Sequence, residues 1–241
     1  MKILIVLPAY NEEKIIRKNI ILLYSYMEKS FSAYDWRVVI SDNNSKDATK
    51  DIVLDEARTR ARLKYFFVAE KGKGIAIRRA WEAYDADIYC FMDADLSTDL
   101  EALPRLIGAI EKDGYDISCG SRTHKDSRVE RSGMRKFVSF GYRIMLRFVF
   151  HLSISDVPCG FKAINNNIKD HILPKVQSNE WFFDSELIIL SEKSGYKIQE
   201  IPVHWSGQEE AGRASKVNIF SLSFEYIKKV LELRQRLKKG K

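Results

Sequence analysis

The sequence predicts an α/β fold in which a mainly parallel sheet is flanked by helices. Two observations predict this fold: short β-rich apolar runs alternate with amphipathic helical segments through the first half of the chain, and polar or acidic residues follow four of the runs. At 241 residues and 45% hydrophobic content, the chain is long and apolar enough for one full core. We therefore expect a single domain over residues 1–241.

The first half is built from regularly alternating elements. Each predicted strand is rich in β-branched or aromatic residues, and each predicted helix repeats apolar residues at helical spacing. The predicted strands are Lys2–Pro8, Trp36–Ser41, Lys64–Val68, Asp87–Met92 and Tyr115–Gly120. The predicted helices are Glu12–Lys29, Asp47–Arg60, Gly74–Tyr84 and Glu101–Lys112. Ligands of such sheets bind at the carboxyl ends of the strands, so the residues that follow each strand are the first candidates for a site.

The second half is less regular. It contains a basic loop, a helix that presents apolar residues on one face, a polar loop and a basic C-terminal helix. In chain order the predicted elements are the loop Thr123–Gly133, the helix after Gly133, a strand at Gly160–Ile164, a helix at Trp181–Lys193, a strand at Lys197–Val203, the loop Trp205–Ser215 and the helix Val217–Leu237.

The net charge of +7 is concentrated in two segments. Eight basic residues oppose two acidic ones over Arg122–Arg147, a local charge of +6, and seven oppose two over Glu225–Lys241, a local charge of +5. This distribution indicates an anionic partner that meets the protein at particular places. Nucleic acid is a low-ranked partner, because neither an aromatic RNA-binding signature nor a helix-turn-helix pattern accompanies the charge.

The chain shows neither a secretory leader nor a long apolar segment. Its first apolar run is too short for a signal peptide, and no stretch of about 18 apolar residues could span a bilayer. The three cysteines, Cys90, Cys119 and Cys159, form no CxxC pair and are typical of buried thiols in a reducing compartment. We therefore expect a cytoplasmic protein.

Asp93 and Asp95 are the strongest candidates for chemistry. They follow an apolar strand and could both reach one divalent cation if the chain turns there. Mg²⁺ and Mn²⁺ prefer oxygen ligands, commonly one or two carboxylates together with phosphate oxygens. A lone DxD motif is more often a surface loop, but here the other strand ends are also polar. Lys73, in a Lys-Gly-Lys-Gly segment that opens a helix, could meet phosphates or be a solvated surface lysine.

Several segments together resemble the inverting family-2 glycosyltransferases, which have the GT-A fold. The resemblance lies in Pro8–Glu12, Ser41–Asp47, Lys71–Gly74 and Met92–Ser97. Within that family, three later segments resemble the dolichyl-phosphate and other polyprenyl-phosphate glucose and mannose synthases: Gly120–Arg122, Ser155–Lys162 and Trp181–Leu187. The ordered set covers nearly the whole chain and is far more specific than any one of its motifs.

The resemblance implies a role for each matching position. Residues 1–121 would bind the nucleotide sugar, residues 122–216 the acceptor, and residues 217–241 would form the basic C-terminal helix. The nucleotide would contact Pro8, Tyr10, Asn11, Glu12, Asp42, Lys73 and Asp93. Asp93 and Asp95 would hold Mg²⁺ or Mn²⁺. The acceptor phosphate would meet Arg122, Arg131 and Arg135, with Arg213 and Lys216 in a loop that closes over the site.

The charge pattern favours an acceptor that is already an anion. A polyprenyl phosphate needs no general base to attack the sugar, but it needs cations to approach a negatively charged donor, and the arginines supply them. A sugar hydroxyl acceptor, as in polysaccharide or glycolipid assembly, would need a carboxylate base. Asp184 is the candidate for that base, and it could equally cap a helix or anchor an arginine.

The basic helices indicate contact with a membrane surface. A basic amphipathic helix such as Val217–Leu237 can lie in the lipid interface, although it could also be a final helix that packs on the core. Many relatives carry C-terminal membrane spans that this sequence lacks, so attachment would be peripheral, on the cytoplasmic face, or come through a membrane-anchoring subunit. The Ser97-Thr98-Asp99 segment also lacks the His-Pro-Pro of many mannose synthases, which leaves UDP-glucose and GDP-mannose both open as donors.

Overall fold

The computed structural model describes the backbone of residues 1–130, 133–206 and 219–239. Side chains are described outside residues 131–139, 207–225 and 240–241. Within this part of the chain, seven strands form one sheet: β1 (Lys2–Ala9), β2 (Asp35–Asp42), β3 (Leu63–Phe67), β4 (Ile88–Met92), β5 (Ile117–Ser121), β7 (Phe161–Asn165) and β8 (Ile198–Pro202). Their order across the sheet is β3-β2-β1-β4-β7-β5-β8.

Strand β1 lies at the centre of the nucleotide-binding half predicted by the sequence. It pairs in parallel with β2 on one side and with β4 on the other, and β2 in turn pairs in parallel with β3. Strand β7 runs antiparallel between β4 and β5, and β8 returns to parallel pairing with β5. The sheet is therefore mainly parallel, as predicted, with one reversed strand.

Helices cover both faces of the sheet because the inner strands are apolar on both sides. Along β1, Leu4 and Val6 pack into one core cluster, whereas Ile3, Ile5 and Leu7 pack into the other. The first cluster includes residues of α3 (Lys73–Ala83), α5 (Gly133–Phe150), α7 (Phe183–Lys193) and α8 (Ile219–Lys239). The second includes residues of α1 (Ile16–Ser30), α2 (Thr49–Thr59) and α4 (Leu103–Glu111). A short helix α6 (Asn166–His171) follows β7.

Two predicted loops contain strands that the sequence pattern did not reveal. Strand β6 (Arg128–Glu130) lies inside the predicted basic loop, and β9 (His204–Ser206) begins the predicted polar loop. They pair in parallel as a separate small sheet. Ser206 N–H also donates to the carbonyl of Ser97 at 2.9 Å. The small sheet therefore attaches both segments beside the residues that follow β4.

Gly72 sets the start of helix α3 through a very close backbone approach. Its φ is +132°, and a Cβ built there would lie 2.1 Å from the carbonyl oxygen of Asn179. The same carbonyl accepts a hydrogen bond from Ile75 N–H at 3.0 Å. Glycine is thus required at position 72 both for its backbone conformation and for space.

We predict that Gly72→Ala lowers the free energy of unfolding by about 2–4 kcal/mol, because it combines backbone strain with a steric clash. Urea denaturation followed by circular dichroism measures the loss. The matched control is Gly108→Ala in α4, where a new Cβ would meet no atom within 4 Å. There the change should stabilise by about 0.5–1 kcal/mol. Equal unfolding midpoints for the two variants would contradict this role of Gly72.

Candidate active site

The parallel strands bring the predicted site residues to one edge of the sheet. Asp42 ends β2 opposite Ala9 of β1, and Phe91 of β4 lies opposite Val6. Glu12 and Asp93 follow β1 and β4 at the same end, since the strands run in the same direction. The segments after three neighbouring strands therefore lie together, as the sequence predicted.

A tight turn after β4 presents both carboxylates of the DxD segment. Leu96 N–H donates to the carbonyl of Asp93 at 3.0 Å, and Ser97 N–H donates to Asp95 Oδ1 at 3.0 Å. Leu96 adopts φ +51°, a left-handed conformation that is unfavourable for a residue with a large side chain. The carbonyl of Ala94 accepts a hydrogen bond from the buried Asn19 side chain at 2.8 Å, which anchors the turn to helix α1.

The electrostatics of this turn fit a divalent cation. Burial raises the pKa of Asp95, and the negative charges of Asp93 and Glu12 raise it further. Such repulsion between carboxylates is relieved by a cation bound between them. The described residues hold no group of three or more His, Cys, Asp or Glu side chains suited to a metal. Mg²⁺ is commonly bound by one or two carboxylates together with water and phosphate oxygens, so the residues of this turn fit such a cation.

Lys73 lies between two carboxylates. Its Nζ is 2.8 Å from Asp93 Oδ1 and 3.0 Å from Asp184 Oδ2. The same ammonium group makes cation–π contacts with the rings of Phe91 and Trp181, whose centroids are 5.2 and 5.3 Å away. Burial alone would lower the pKa of Lys73, but the charges of Asp184 and Asp93 outweigh burial and raise it, so the side chain is a cation at neutral pH.

Asp184 has a partner that the sequence did not indicate. It lies in the first turn of α7, but the residue that caps this helix is Phe182, and the ion pair of Asp184 is with a lysine rather than an arginine. Its Oδ1 is buried and has no hydrogen-bond partner within the described part of the chain. The carboxylate is thus paired with Lys73 through Oδ2.

The predicted nucleotide contacts form a connected rim around the ends of β1 and β2. Tyr10 is exposed, and Asn11 N–H donates to Ser45 Oγ at 2.9 Å. Asp42 is buried and accepts hydrogen bonds from Tyr65 O–H at 2.7 Å and from Ser45 N–H at 3.0 Å. The structure therefore places these side chains together, with Asp42 held by protein partners. Pro8 pairs with Ser41 in the adjoining strands.

The Lys71–Gly74 segment is held to the neighbouring strand end. Gly72 N–H donates to Asn43 Oδ1 at 2.7 Å, and Ile75 N–H donates to Asn179. These two amide groups are already bound to the protein. The group from this motif that faces Asp93 is therefore the Lys73 ammonium.

Arg122 is buried in an ion pair with Asp156. Its Nε donates to Oδ2 at 2.7 Å and its Nη2 donates to Oδ1 at 2.9 Å, and its backbone N–H also donates to Oδ2 at 2.8 Å. Arg143 Nη1 lies 3.9 Å from the same carboxylate. Burial alone would lower the pKa of Arg122, but the charge of Asp156 outweighs it and raises the pKa, with a smaller contribution from Asp93. The guanidinium is therefore bound to Asp156, and its predicted contact with the acceptor phosphate stays a prediction.

Sequence reasoning gave Asp156 no role, although it lies within one of the segments that carry the resemblance. The available signal was an acidic residue between Ile154 and Val157, since a buried carboxylate requires a cation. Glu200 supports the same turn, because its carboxylate accepts hydrogen bonds from Asp156 N–H at 2.9 Å and Ser155 N–H at 3.0 Å.

The remaining predicted acceptor residues lie in segments that the structure describes only in part or not at all. Arg131, Arg213 and Lys216 lie outside the described residues, and Arg135 lies in the described backbone of α5 with a side chain that is not described. The last described residues before two of these segments are Glu130 and Ser206, which pair with each other in the small sheet. Ser206 itself lies beside Ser97, two positions after Asp95.

Comparison with known proteins identifies the family. A profile of glycosyl transferase family 2 matches residues 4–173. The chain belongs to glycosyl transferase family 2. The predicted enzyme class is confirmed, and so is the resemblance from which it came.

Similar curated proteins carry related names. Glycosyltransferase AglD of Haloferax volcanii is 29% identical over 85% of this chain and 33% of its own length. A dolichyl-phosphate beta-glucosyltransferase of Dictyostelium discoideum is 28% identical over 96% of this chain and 73% of its own. The human dolichyl-phosphate beta-glucosyltransferase is 29% identical over 84% and 66%. The chain thus spans about a third of AglD and about two thirds to three quarters of these two glucosyltransferases.

Solved structures confirm the GT-A fold. Glucosyl-3-phosphoglycerate synthase from Mycobacterium tuberculosis, in complex with UDP, matches with a TM-score of 0.70 at 19% identity, covering 97% of this chain and 80% of that one. The same enzyme with Mn²⁺, UDP and glucosyl-3-phosphoglycerate matches with a TM-score of 0.61 at 19% identity, covering 88% and 75%. At this identity the likeness concerns the fold.

We predict that Asp156→Asn lowers the free energy of unfolding by about 3–5 kcal/mol, because Arg122 stays buried without its counter-charge. Burial would raise the pKa of Asp156, but Arg122 outweighs burial and holds it below the ordinary value of 3.8. The folded-state pKa is thus below the unfolded one, so this stabilisation is complete above pH 4 and is lost as the pH falls through the folded-state value.

Urea denaturation from pH 6 to pH 3 checks this prediction. Below about pH 4 the wild type should lose stability more steeply than Asp156→Asn, by up to about 1.4 kcal/mol per pH unit. Asp113→Asn, at an exposed position, serves as control and should follow the wild type. Parallel curves for the wild type and Asp156→Asn would show that this ion pair does not stabilise the fold.

Proposed function

We propose that this protein transfers glucose from UDP-glucose, with inversion, to a dolichyl or similar polyprenyl phosphate at a membrane surface. The observation that carries the proposal is the cluster around Asp93, where the Lys73 ammonium lies 2.8 Å from the carboxylate of the DxD segment. The charge of Asp93 also acts on the buried Arg122 guanidinium and raises its pKa. The names of the similar glucosyltransferases support the lipid phosphate as acceptor, and the UDP complexes support the donor nucleotide.

The mechanism needs cations around two anions. The acceptor phosphate oxygen attacks the anomeric carbon, a bond forms between them, and the bond from that carbon to the β-phosphate oxygen of UDP breaks. Lys73 would bind the donor diphosphate, and Arg122 would meet the acceptor phosphate. Arg131, Arg135, Arg213 and Lys216 would add positive charge around the acceptor phosphate. These contacts lower the repulsion between the reactants and stabilise negative charge on the leaving group.

A divalent cation belongs to this proposal as a cofactor. Asp93 and Asp95 would hold Mg²⁺ or Mn²⁺, and Mn²⁺ is present in the matched synthase crystals. When bound, such an ion neutralises charge on the departing diphosphate. Pro8, Tyr10, Asn11, Glu12 and Asp42 would hold the nucleoside. Residues 1–121 would form the donor half and residues 122–216 the acceptor half.

The contacts of Asp184 support a phosphate acceptor rather than a sugar hydroxyl. A hydroxyl acceptor needs a carboxylate that can take its proton. Asp184 is instead bound to Lys73 through Oδ2, and its other oxygen is buried. A polyprenyl phosphate makes no such demand, because it is ionised before it binds.

Two helices offer a surface for lipid. Helix α5 exposes Phe140, Ile144 and Phe148 at four-residue spacing, and α8 exposes Ile227 and Leu231. The helices contact each other through the rings of Tyr142 and Tyr226, whose centroids are 4.8 Å apart. Exposed apolar residues next to basic ones are typical of interfacial helices. In the part of the chain that the structure describes, none of the helices combines the length and apolar character that crossing a bilayer requires.

We place the protein on the cytoplasmic face of its membrane. The three cysteines are buried free thiols, which suits a reducing compartment. The basic segments suit anionic lipid, and a membrane-anchoring subunit remains the alternative mode of attachment.

The acceptor is tested with purified protein, labelled UDP-glucose and Mn²⁺. We expect labelled lipid with dolichyl phosphate, none with dolichol, and little with GDP-mannose as donor. Asp95→Asn should reduce the rate by about 100-fold or more, because it removes a charged ligand of the leaving-group site. Asp113→Asn should keep the wild-type rate. Transfer to soluble sugars in preference to dolichyl phosphate would contradict the proposal.

The membrane surface is tested by vesicle flotation. Phe148 is 76% exposed, so Phe148→Ser should weaken binding to vesicles of anionic phospholipid by about tenfold or more, since burial of a phenylalanine contributes about 1.5–3 kcal/mol. Leu54→Ser, which changes an exposed apolar residue of α2, is the matched control and should bind as the wild type does. Equal binding by all three proteins would argue against α5 as the contact.

A further inference from the structure

We propose that Lys73 is a resident cation that holds Asp93 until the donor arrives, and that Asp184 is the positioning residue that keeps it there. This inference rests on the proposed function. As a consequence, the divalent metal binds weakly to the nucleotide-free protein and binds tightly only together with the nucleoside diphosphate.

The first observation is the geometry of the lysine. Its Nζ lies between Asp93 Oδ1 and Asp184 Oδ2, at 2.8 and 3.0 Å, and the side chain is only 8% exposed. One oxygen of Asp93 is therefore already bound to a positive charge. A metal bound to Asp93 would be close to that ammonium, and two positive charges held at one carboxylate repel each other.

The second observation is the asymmetry of the two carboxylates. The Asp184 side chain is 5% exposed, and its Oδ1 has no hydrogen-bond partner among the described residues, whereas the Asp93 side chain is 36% exposed. A buried carboxylate that loses its cation pays a large desolvation penalty, but a partly exposed one is solvated by water. Lys73 can therefore leave Asp93 more easily than it can leave Asp184.

The third observation concerns the surroundings of Asp93. A Cβ built on Gly160 would lie 2.3 Å from Asp93 Oδ2, so the carboxylate lies directly against the backbone there. On the other side, Lys73 is the first residue of α3, whose start is held by Asn43 and Asn179. Both partners have fixed backbones, and the flexible part of the pair is the lysine side chain.

A donor diphosphate lowers the competition between the Lys73 ammonium and the metal for Asp93. Its negative charge attracts the Lys73 ammonium away from Asp93 and also attracts the metal. Binding of the diphosphate therefore favours binding of the metal, and binding of the metal favours binding of the diphosphate. Binding free energies are reciprocal, and the diphosphate must strengthen metal binding by the same factor by which the metal strengthens diphosphate binding. Asp184 opposes full departure of the lysine, which keeps the cation within reach of both positions.

The experiment measures Mn²⁺ affinity in the absence of nucleotide, from the free-ion signal in electron paramagnetic resonance. Lys73→Met should bind Mn²⁺ at least tenfold more tightly than the wild type, because the competing cation is gone. Asp184→Asn should bind Mn²⁺ at least threefold more weakly, because Lys73 then pairs with Asp93 alone. Lys64→Met, an exposed lysine on β3, removes the same charge outside the site and should match the wild type.

A second comparison covers the case in which Lys73→Met does not fold. The double variant Lys73→Met/Asp184→Asn removes the buried pair together, and it should bind Mn²⁺ more tightly than Asp184→Asn alone. Equal affinity in that comparison, or in wild type against folded Lys73→Met, would overturn the inference. Calorimetric titration of UDP with Mn²⁺ into the wild type distinguishes failure of the proposed function from failure of this inference. If UDP does not bind, the proposed function and this inference are both overturned. If UDP binds but the wild type and Lys73→Met have equal Mn²⁺ affinities, this inference alone is overturned.

Discussion

The parallel pairing of β1 with both of its neighbours is the constraint on which the site depends. Because β2, β1 and β4 run in one direction, the chain leaves all three at the same edge of the sheet. Asp42, Glu12 and Asp93 come together for that reason, although they are far apart in sequence. The helices on both faces bury the apolar sides of these strands and leave this edge as the place where polar groups can gather.

The buried ion pairs at this edge contribute little to stability. Lys73, Arg122, Asp156 and Asp184 are all largely removed from water, and such ion pairs stabilise a fold weakly compared with apolar residues of the same volume. Backbone strain falls in the same region: Asn11 and Leu96 both have positive φ just after strands. A cluster of buried charge and strained turns is costly, and the proposed function accounts for it, because a highly charged ligand would meet these residues.

Strands β1 and β4 were predictable because they are nearly continuous apolar runs. The predicted ends of β1, β4 and β7 lie within one or two residues of the observed ones. Strands β6 and β9 were missed because each has three residues and includes charged or polar side chains, so neither has an apolar pattern. The pairing of Lys73 with Asp184 was missed for a different reason, since 111 positions separate them and no local pattern reports such a contact. The DxD pair was found because its signal is local.

The central claim is that Asp93 and Asp95 hold a divalent cation beneath a nucleoside diphosphate, with Lys73 and Arg122 alongside. Anomalous diffraction from crystals grown with UDP and Mn²⁺ tests it most directly. A single strong manganese peak within coordination distance of both carboxylates, with phosphate oxygens completing the shell, is the expected result. A peak elsewhere on the protein, or UDP bound away from the carboxyl ends of β1, β2 and β4, would contradict the account.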